Sequence, residues 1–122
     1  MNKATVRFEG GAIGAEVASS MISRSLGLSF RKIIKGNEGM LFIFSSAHRP
    51  TFWNFGMRFP IDVIWIRDSL VVGIEEDIPP MKEGVRIFTP KDNVDSVLEV
   101  PAGTARRMGI GLCDKIDIVF TS

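Results

Sequence analysis

Phe52-Trp53-Asn54-Phe55-Gly56-Met57-Arg58-Phe59-Pro60-Ile61-Asp62-Val63-Ile64-Trp65-Ile66-Arg67-Asp68 is the stretch on which the fold of this chain turns. It contains both tryptophans and three of the nine phenylalanines, and it lodges one carboxylate, Asp62, in an otherwise apolar run. Val63-Ile64-Trp65-Ile66 is the densest β-branched and aromatic segment of the sequence, which suits a central strand. Pro60 fixes the backbone on the way in, and Trp53, Gly56 and Arg58 stand just before it. Asp62 shares strand parity with Ile64 and Ile66, so it is expected at the buried mouth of the strand. A carboxylate there needs partners. The expected ones are Arg58, close in sequence, and Arg31 at long range, through charge-assisted bonds.

Moving outward, the same alternation test finds more strands. Ala4, Val6 and Phe8 alternate with Thr5, Arg7 and Glu9, the pattern of a strand buried on one face. Gly10-Gly11 ends it, and Ile13–Ala18 is expected to return as a hairpin partner. Gly39–Phe44 is apolar at every side chain, so both of its faces are expected to be covered. Ser45–Thr51 reads as a loop, Val71–Ile74 as the next strand with Asp68-Ser69 as its turn, and Val85–Ile87 as a short half-exposed strand. Pro79-Pro80 removes ladder donors and excludes regular structure there. Val97–Val100 and Ile116–Phe120 complete the set. Ser19 or Ser20 can cap a short helix running to about Leu26, and Ala102–Met108 allows one or two helical turns. About eight short strands with no α/β alternation predict a mainly β fold. The expected form is a compact, mostly antiparallel jelly-roll-like barrel or two-sheet sandwich, with one or two short helices. No repeat or linker divides residues 1–122, so one domain is expected.

Composition limits the function classes. Fifteen Lys and Arg against fourteen Asp and Glu give a net charge of +1, so no overall field favours nucleic acid or a membrane surface. No segment approaches the roughly 18 apolar residues of a spanning helix, and the first residues do not resemble a signal peptide. With one cysteine, Cys113, no intramolecular disulfide forms, which fits a reducing, cytoplasmic setting. One histidine, His48, and one cysteine are too few for a transition-metal site, so no metal and no cofactor are expected. Gly10–Gly14 and Gly109–Gly111 lack the strand and long helix that make a glycine loop a phosphate cradle, and they read as turns. Cys113 reads as a small, partly buried turn residue, and Glu75-Glu76-Asp77 as a solvated strand end.

The polar and aromatic exceptions beside the apolar strands are Arg31, Trp53, Arg58, Asp62 and Glu99. Apolar walls with a few convergent polar groups are what ligand pockets are made of. The first expectation is therefore a small polar ligand, such as a sugar or metabolite, held by these five residues in a monomer or weak homo-oligomer. An enzyme using Asp62 and Glu99 as acid–base carboxylates is the second, and retaining glycosidases need such carboxyls roughly 5 Å apart. A protein-interaction module is the third, with Phe52, Trp53, Phe55, Met57 and Phe59 as an exposed apolar patch.

Five ordered segments add a resemblance. Gly27-Leu28-Ser29-Phe30-Arg31, Gly39–Phe44, Phe52-Trp53, Pro60-Ile61-Asp62 and Leu98-Glu99-Val100-Pro101-Ala102-Gly103 resemble the signature segments of domain of unknown function family 192, an uncharacterised prokaryotic family. The likeness runs from about Val17 to Phe120. Two departures stand out: Asn54-Phe55-Gly56-Met57 replaces the Met-Lys-Asn-Thr that often follows Phe-Trp, and Ser29 stands where Met is common. The resemblance implies a compact β fold, jelly roll or barrel, with a helix packed on it, and it implies no activity.

Overall fold

A computed structural model describes residues 3–18 and 37–121. The helix expected up to Leu26, and Arg31, lie outside the described residues. The elements in chain order are β1 (Lys3–Phe8), β2 (Gly11–Ala18), β3 (Glu38–His48), β4 (Phe52–Trp53), β5 (Ile61–Arg67), β6 (Leu70–Ile78), a 3-10 turn (Met81–Glu83), β7 (Ile87–Phe88), β8 (Val94–Pro101), α1 (Thr104–Arg107) and β9 (Asp117–Phe120). The fold is mainly β, as the alternation predicts. Three strands, β3, β6 and β8, outrun their expected lengths most. β3 continues through the expected loop to His48, which pairs with Val94 after a register shift, and β6 runs on to Ile78.

Seven strands form one sheet in the order β6-β5-β8-β3-β2-β1-β9, and β4 pairs with β7 in a separate ribbon. All pairings are antiparallel except β2 with β3, which is parallel. The β5–β6 hairpin turns on Asp68 and Ser69, both at positive φ (52° and 61°), as a two-residue turn matched to strand twist requires. Ahead of β9, residues 113–116 tie β6 to the far side of the sheet. Val71 N–H donates to Asp114 O (3.0 Å), Cys113 N–H to Val71 O (2.8 Å) and Ile116 N–H to Ser69 O (3.0 Å). These bonds draw the two edges together without a continuous ladder, so the sheet curls but does not close as a barrel.

The curl encloses one apolar layer. Val6, Ile13, Leu41, Ile64, Ile66 and Leu98 are buried there, and Val71 from one edge strand and Ile118 from the other reach the same cluster. The opposite face carries Phe42, Val63, Trp65 and Val97 and is covered by the β4–β7 ribbon. Phe52 meets Phe42 edge-on at 5.2 Å and stacks on Phe88 at 5.6 Å, so the ribbon is pinned by aromatic contact. β5 lies between both layers, and residues 61–66 are all buried. Among the described residues, no helix is long and apolar enough to cross a membrane.

Candidate functional site

Asp62 sits where the sequence places it, fully buried at the start of β5. Its partners are different. Oδ1 accepts a hydrogen bond from Asp77 N–H (2.9 Å), and Oδ2 accepts from Gly103 N–H and Ala105 N–H (both 3.0 Å). Arg58 is exposed and makes no bond to it, so the expected Arg58 ion pair is corrected to a socket of backbone amides. The reason lies in the neighbouring backbone. β6 shifts register opposite Ile61 and Val63, with Asp77 at φ 57°, and the loop after β8 turns at Gly103, φ 91°, into α1. Both irregularities leave amides without ladder partners, and a carboxylate accepts three of them at once. A second buried polar side chain works the same way. Asn54 Nδ2 donates to Pro79 O (2.9 Å) and Gly84 O (2.8 Å), and its Oδ1 accepts from Arg86 N–H (2.8 Å). It staples the proline-rich turn to the ribbon.

On the ribbon-covered face of the sheet lies a cavity of about 230 Å³. Its floor is Trp65 with Val72–Glu75 of β6, its wall is the Thr89–Asp92 turn, and Leu112 stands beside it. Gly73 faces Trp65 across the β5–β6 pair, and a Cβ there would come within 3.0 Å of the indole Cδ1, so glycine lets the ring lie close against β6. Glu75 lies on this face because it pairs with Val63. Its Oε2 is buried and has no hydrogen-bond partner among the described residues, although the side chain as a whole is only partly buried. That burial pushes the carboxyl above its ordinary pKa, and the Arg86 guanidinium pulls part of the way back. Lys91 and Asp92 add one charge of each sign to the wall.

Over residues 4–118 the chain matches the model of the family DUF192, described as Uncharacterized ACR. The chain belongs to the DUF192 family. Two solved structures share its fold. A Sinorhizobium meliloti 1021 protein, provisionally described as a transcription regulator, is 26% identical with a TM-score of 0.85, covering 96% of this chain and 92% of its own. A protein of unknown function from Novosphingobium aromaticivorans DSM 12444 is 28% identical with a TM-score of 0.84, covering 94% and 83%. None of the curated proteins compared with this DUF192 chain matches it.

Against that family frame, the four expected site residues that lie among the described residues, Trp53, Arg58, Asp62 and Glu99, do not converge. Arg31 is outside the described residues. Trp53 is 51% exposed on the outer face of the ribbon, stacked on Phe55 with centroids 5.0 Å apart, and neither lines the cavity. Asp62 pairs with Val100 and Glu99 with Val63 in one regular β5–β8 register, so the two carboxylates leave opposite faces of the sheet. Asp62 looks into the enclosed layer and Glu99 toward the ribbon side, which separates the expected acid–base pair. The expected apolar patch is also divided: Met57 is buried, Phe52 and Phe59 are partly buried, and only Trp53 and Phe55 are exposed. Cys113 is exposed rather than partly buried, at a turn with φ 68°. His48 is exposed at the end of β3. Among the described residues, no group of three or more His, Cys, Asp or Glu is placed to hold a metal ion. Glu75 and Asn54 were the residues to find. Strand alternation carried the signal for Glu75, since consecutive residues of the acidic run 75–77 cannot share a face. Nothing in the sequence marks Asn54.

Proposed function

We propose that this DUF192 chain forms one β domain that binds a small polar ligand, a sugar or another metabolite, in the cleft between β6 and the Thr89–Asp92 turn. One observation carries the reading: the cleft sets Glu75 of β6 and the charged pair Lys91 and Asp92 of the facing turn beside the Trp65 ring. The lining is the mixture expected of a ligand site, apolar from Trp65, Val72 and Leu112 and polar from Glu75, Lys91 and Asp92. About 230 Å³ corresponds to roughly seven or eight water volumes, a fit for a small metabolite rather than a chain. Ligand-observed NMR with a panel of neutral, cationic and anionic metabolites tests it. At least one class gives a binding signal with the wild type and loses it in Leu112→Trp, where a large ring stands beside the cleft. A silent panel overturns the reading.

A second reading, an interaction module, is favoured by the stacked and exposed Trp53–Phe55 pair, with Ile87 opposite Trp53 in the ribbon and 63% exposed. The regulator description of the Sinorhizobium protein supports no DNA-binding role here, because a net charge of +1 gives little attraction for phosphate.

A further inference from the structure

We infer that the outer face of the β4–β7 ribbon docks on an anionic lipid surface. This rests on the interaction reading above and names the partner. The ribbon ladder runs past its two strand pairs, because Asn54 N–H donates to Arg86 O (3.0 Å) next to the Trp53–Ile87 pair. One step further sets Phe55 across from Val85, and residues two apart share a face of a strand. Phe55 stacks on Trp53 accordingly, and the ladder brings Val85 and Ile87 to the same side. The outer face is therefore four apolar side chains, exposed at Trp53 (51%), Phe55 (41%), Val85 (64%) and Ile87 (63%). The fold uses the inner face, where Phe52 and Phe88 stack and Asn54 makes its bonds. Charge selects the occupant. Arg58 and Lys82 follow Met57 and Met81, which are joined at the Phe55–Val85 end by Met81 N–H donating to Met57 O (3.1 Å). Arg49 donates to Pro90 O (3.0 Å) beyond the other end. With Arg86 and Lys91, five exposed cations flank the ribbon, against the three anions Glu75, Glu83 and Asp92. Taking these from the fifteen Lys and Arg and fourteen Asp and Glu of the whole chain leaves ten against eleven, so a near-neutral total hides a local positive excess. Four side chains are too few for a stable protein interface, which takes roughly 20–30 residues a side. They suit a lipid surface, where apolar side chains enter the headgroup region, Trp is favoured at the boundary, and Lys and Arg meet anionic headgroups.

The experiment compares vesicles of phosphatidylcholine alone with vesicles of an equal mixture of phosphatidylcholine and phosphatidylglycerol. The expected result is partition onto the mixed vesicles at least about tenfold stronger than onto the neutral ones, weakened by added salt. Brominated lipid is expected to quench Trp53 and spare Trp65, which is buried beneath the ribbon. Trp53→Ala with Ile87→Ser should lower partition onto the mixed vesicles at least about fivefold and abolish the quenching. Arg58→Gln with Lys82→Gln keeps the apolar face and should bring the preference for the mixed vesicles to within about threefold. Thermal melts establish that each double variant is folded. If the two vesicles bind alike, if neither binds, or if Trp53→Ala with Ile87→Ser binds as well as wild type, the lipid assignment is overturned. A soluble peptide of alternating glutamate and leucine, titrated into 15N-labelled protein, then decides the rest. If it shifts the amides of residues 53–55 and 85–87, the face docks a protein and the interaction reading stands. If it does not, that reading falls as well.

Discussion

Asp62 and Glu75 belong to one β-hairpin and bear the same chemical group, yet the fold treats them in opposite ways. Asp62 faces the enclosed layer and is completely buried, with three backbone amides on its two oxygens. Glu75 faces the ribbon side, only partly buried, with one shielded oxygen and no donor among the described residues to meet it. The more deeply buried of the two is the one with the complete set of bonds. Depth alone therefore does not mark a functional carboxylate, and completeness of its bonds separates the two better. Asp62 holds three pieces of backbone together: the β6 bulge, the turn at Gly103 and the start of α1. Glu75 holds nothing together and stands beside an open space.

Removing the socket carboxylate is the strongest way to test the contrast. Asp62→Ala leaves three amides without an acceptor, that of Ala105 buried and those of Asp77 and Gly103 partly buried, and a fully buried donor costs roughly 1–3 kcal/mol. Relaxation and water recover part of this, so a loss of about 3–5 kcal/mol is expected. For a domain of this size that is a fall in Tm of about 10–20 °C in a thermal melt. Asp62→Asn keeps one acceptor but sets an NH2 group against at least one of the amides, and it is expected to fall between Ala and wild type. A melt within a degree or two of wild type for both variants would break the comparison, since Asp62 would then be no more structural than Glu75.

Asn54 extends the test to a neutral group. Asn54→Ala leaves Arg86 N–H without its acceptor and two carbonyls, Pro79 O and Gly84 O, without their donor. A loss of about 2–3 kcal/mol is expected, read by denaturant unfolding as a lower midpoint at unchanged slope. Trp53→Ala, on the same ribbon, should cost no more than about 1 kcal/mol, because half of its surface is in water already. It should also leave ligand titrations of the cleft unchanged. A large stability loss for Trp53→Ala would show that the exposed pair supports the fold.

These outcomes bear on what a sequence can disclose. Val63–Ile66 announces its own burial because four consecutive large apolar residues need cover on both faces, and the structure supplies two layers. Pro79-Pro80 announces a break because it removes donors, and the chain makes only a 3-10 turn there. The depth of Asp62 was legible for the same local reason. Its partners were not, because a carboxylate surrounded by arginines in sequence invites an ion pair, whereas the donors come from backbone that loses its ladder only after β6 bulges and β8 turns at Gly103. The parallel β2–β3 pairing and the ribbon that covers Trp65 are tertiary facts of the same kind. Glu75 was half legible: alternation sends it to the face opposite Glu76, but the cleft on that face exists only because the Thr89–Asp92 turn stands across from β6.

The smallest expected effect is the most discriminating, because its sign is unusual. Burial holds the Glu75 carboxyl above its ordinary pKa in the folded chain, with Arg86 opposing. Between the ordinary value and the raised one, the folded state therefore binds more protons than the unfolded state. Stability then falls as pH rises through that window, and the whole penalty is present above it. Glu75→Gln removes the titrating group and keeps the shape, so the variant is expected to be slightly more stable than wild type near neutrality. The two should converge as pH falls below the ordinary carboxylate range, where the group is protonated in both the folded and the unfolded chain. The other charges near Glu75 are Arg86, Lys91 and Asp92, with Glu99 on the same face beyond Val63, and all are retained in the variant, so the difference isolates one group. Arg86 loses a favourable neighbour, which keeps the gain below about 1 kcal/mol, or about 3 °C in Tm. A variant less stable than wild type at neutral pH would mean that Glu75 is as well satisfied as Asp62. The distinction between socket and cleft would then be lost.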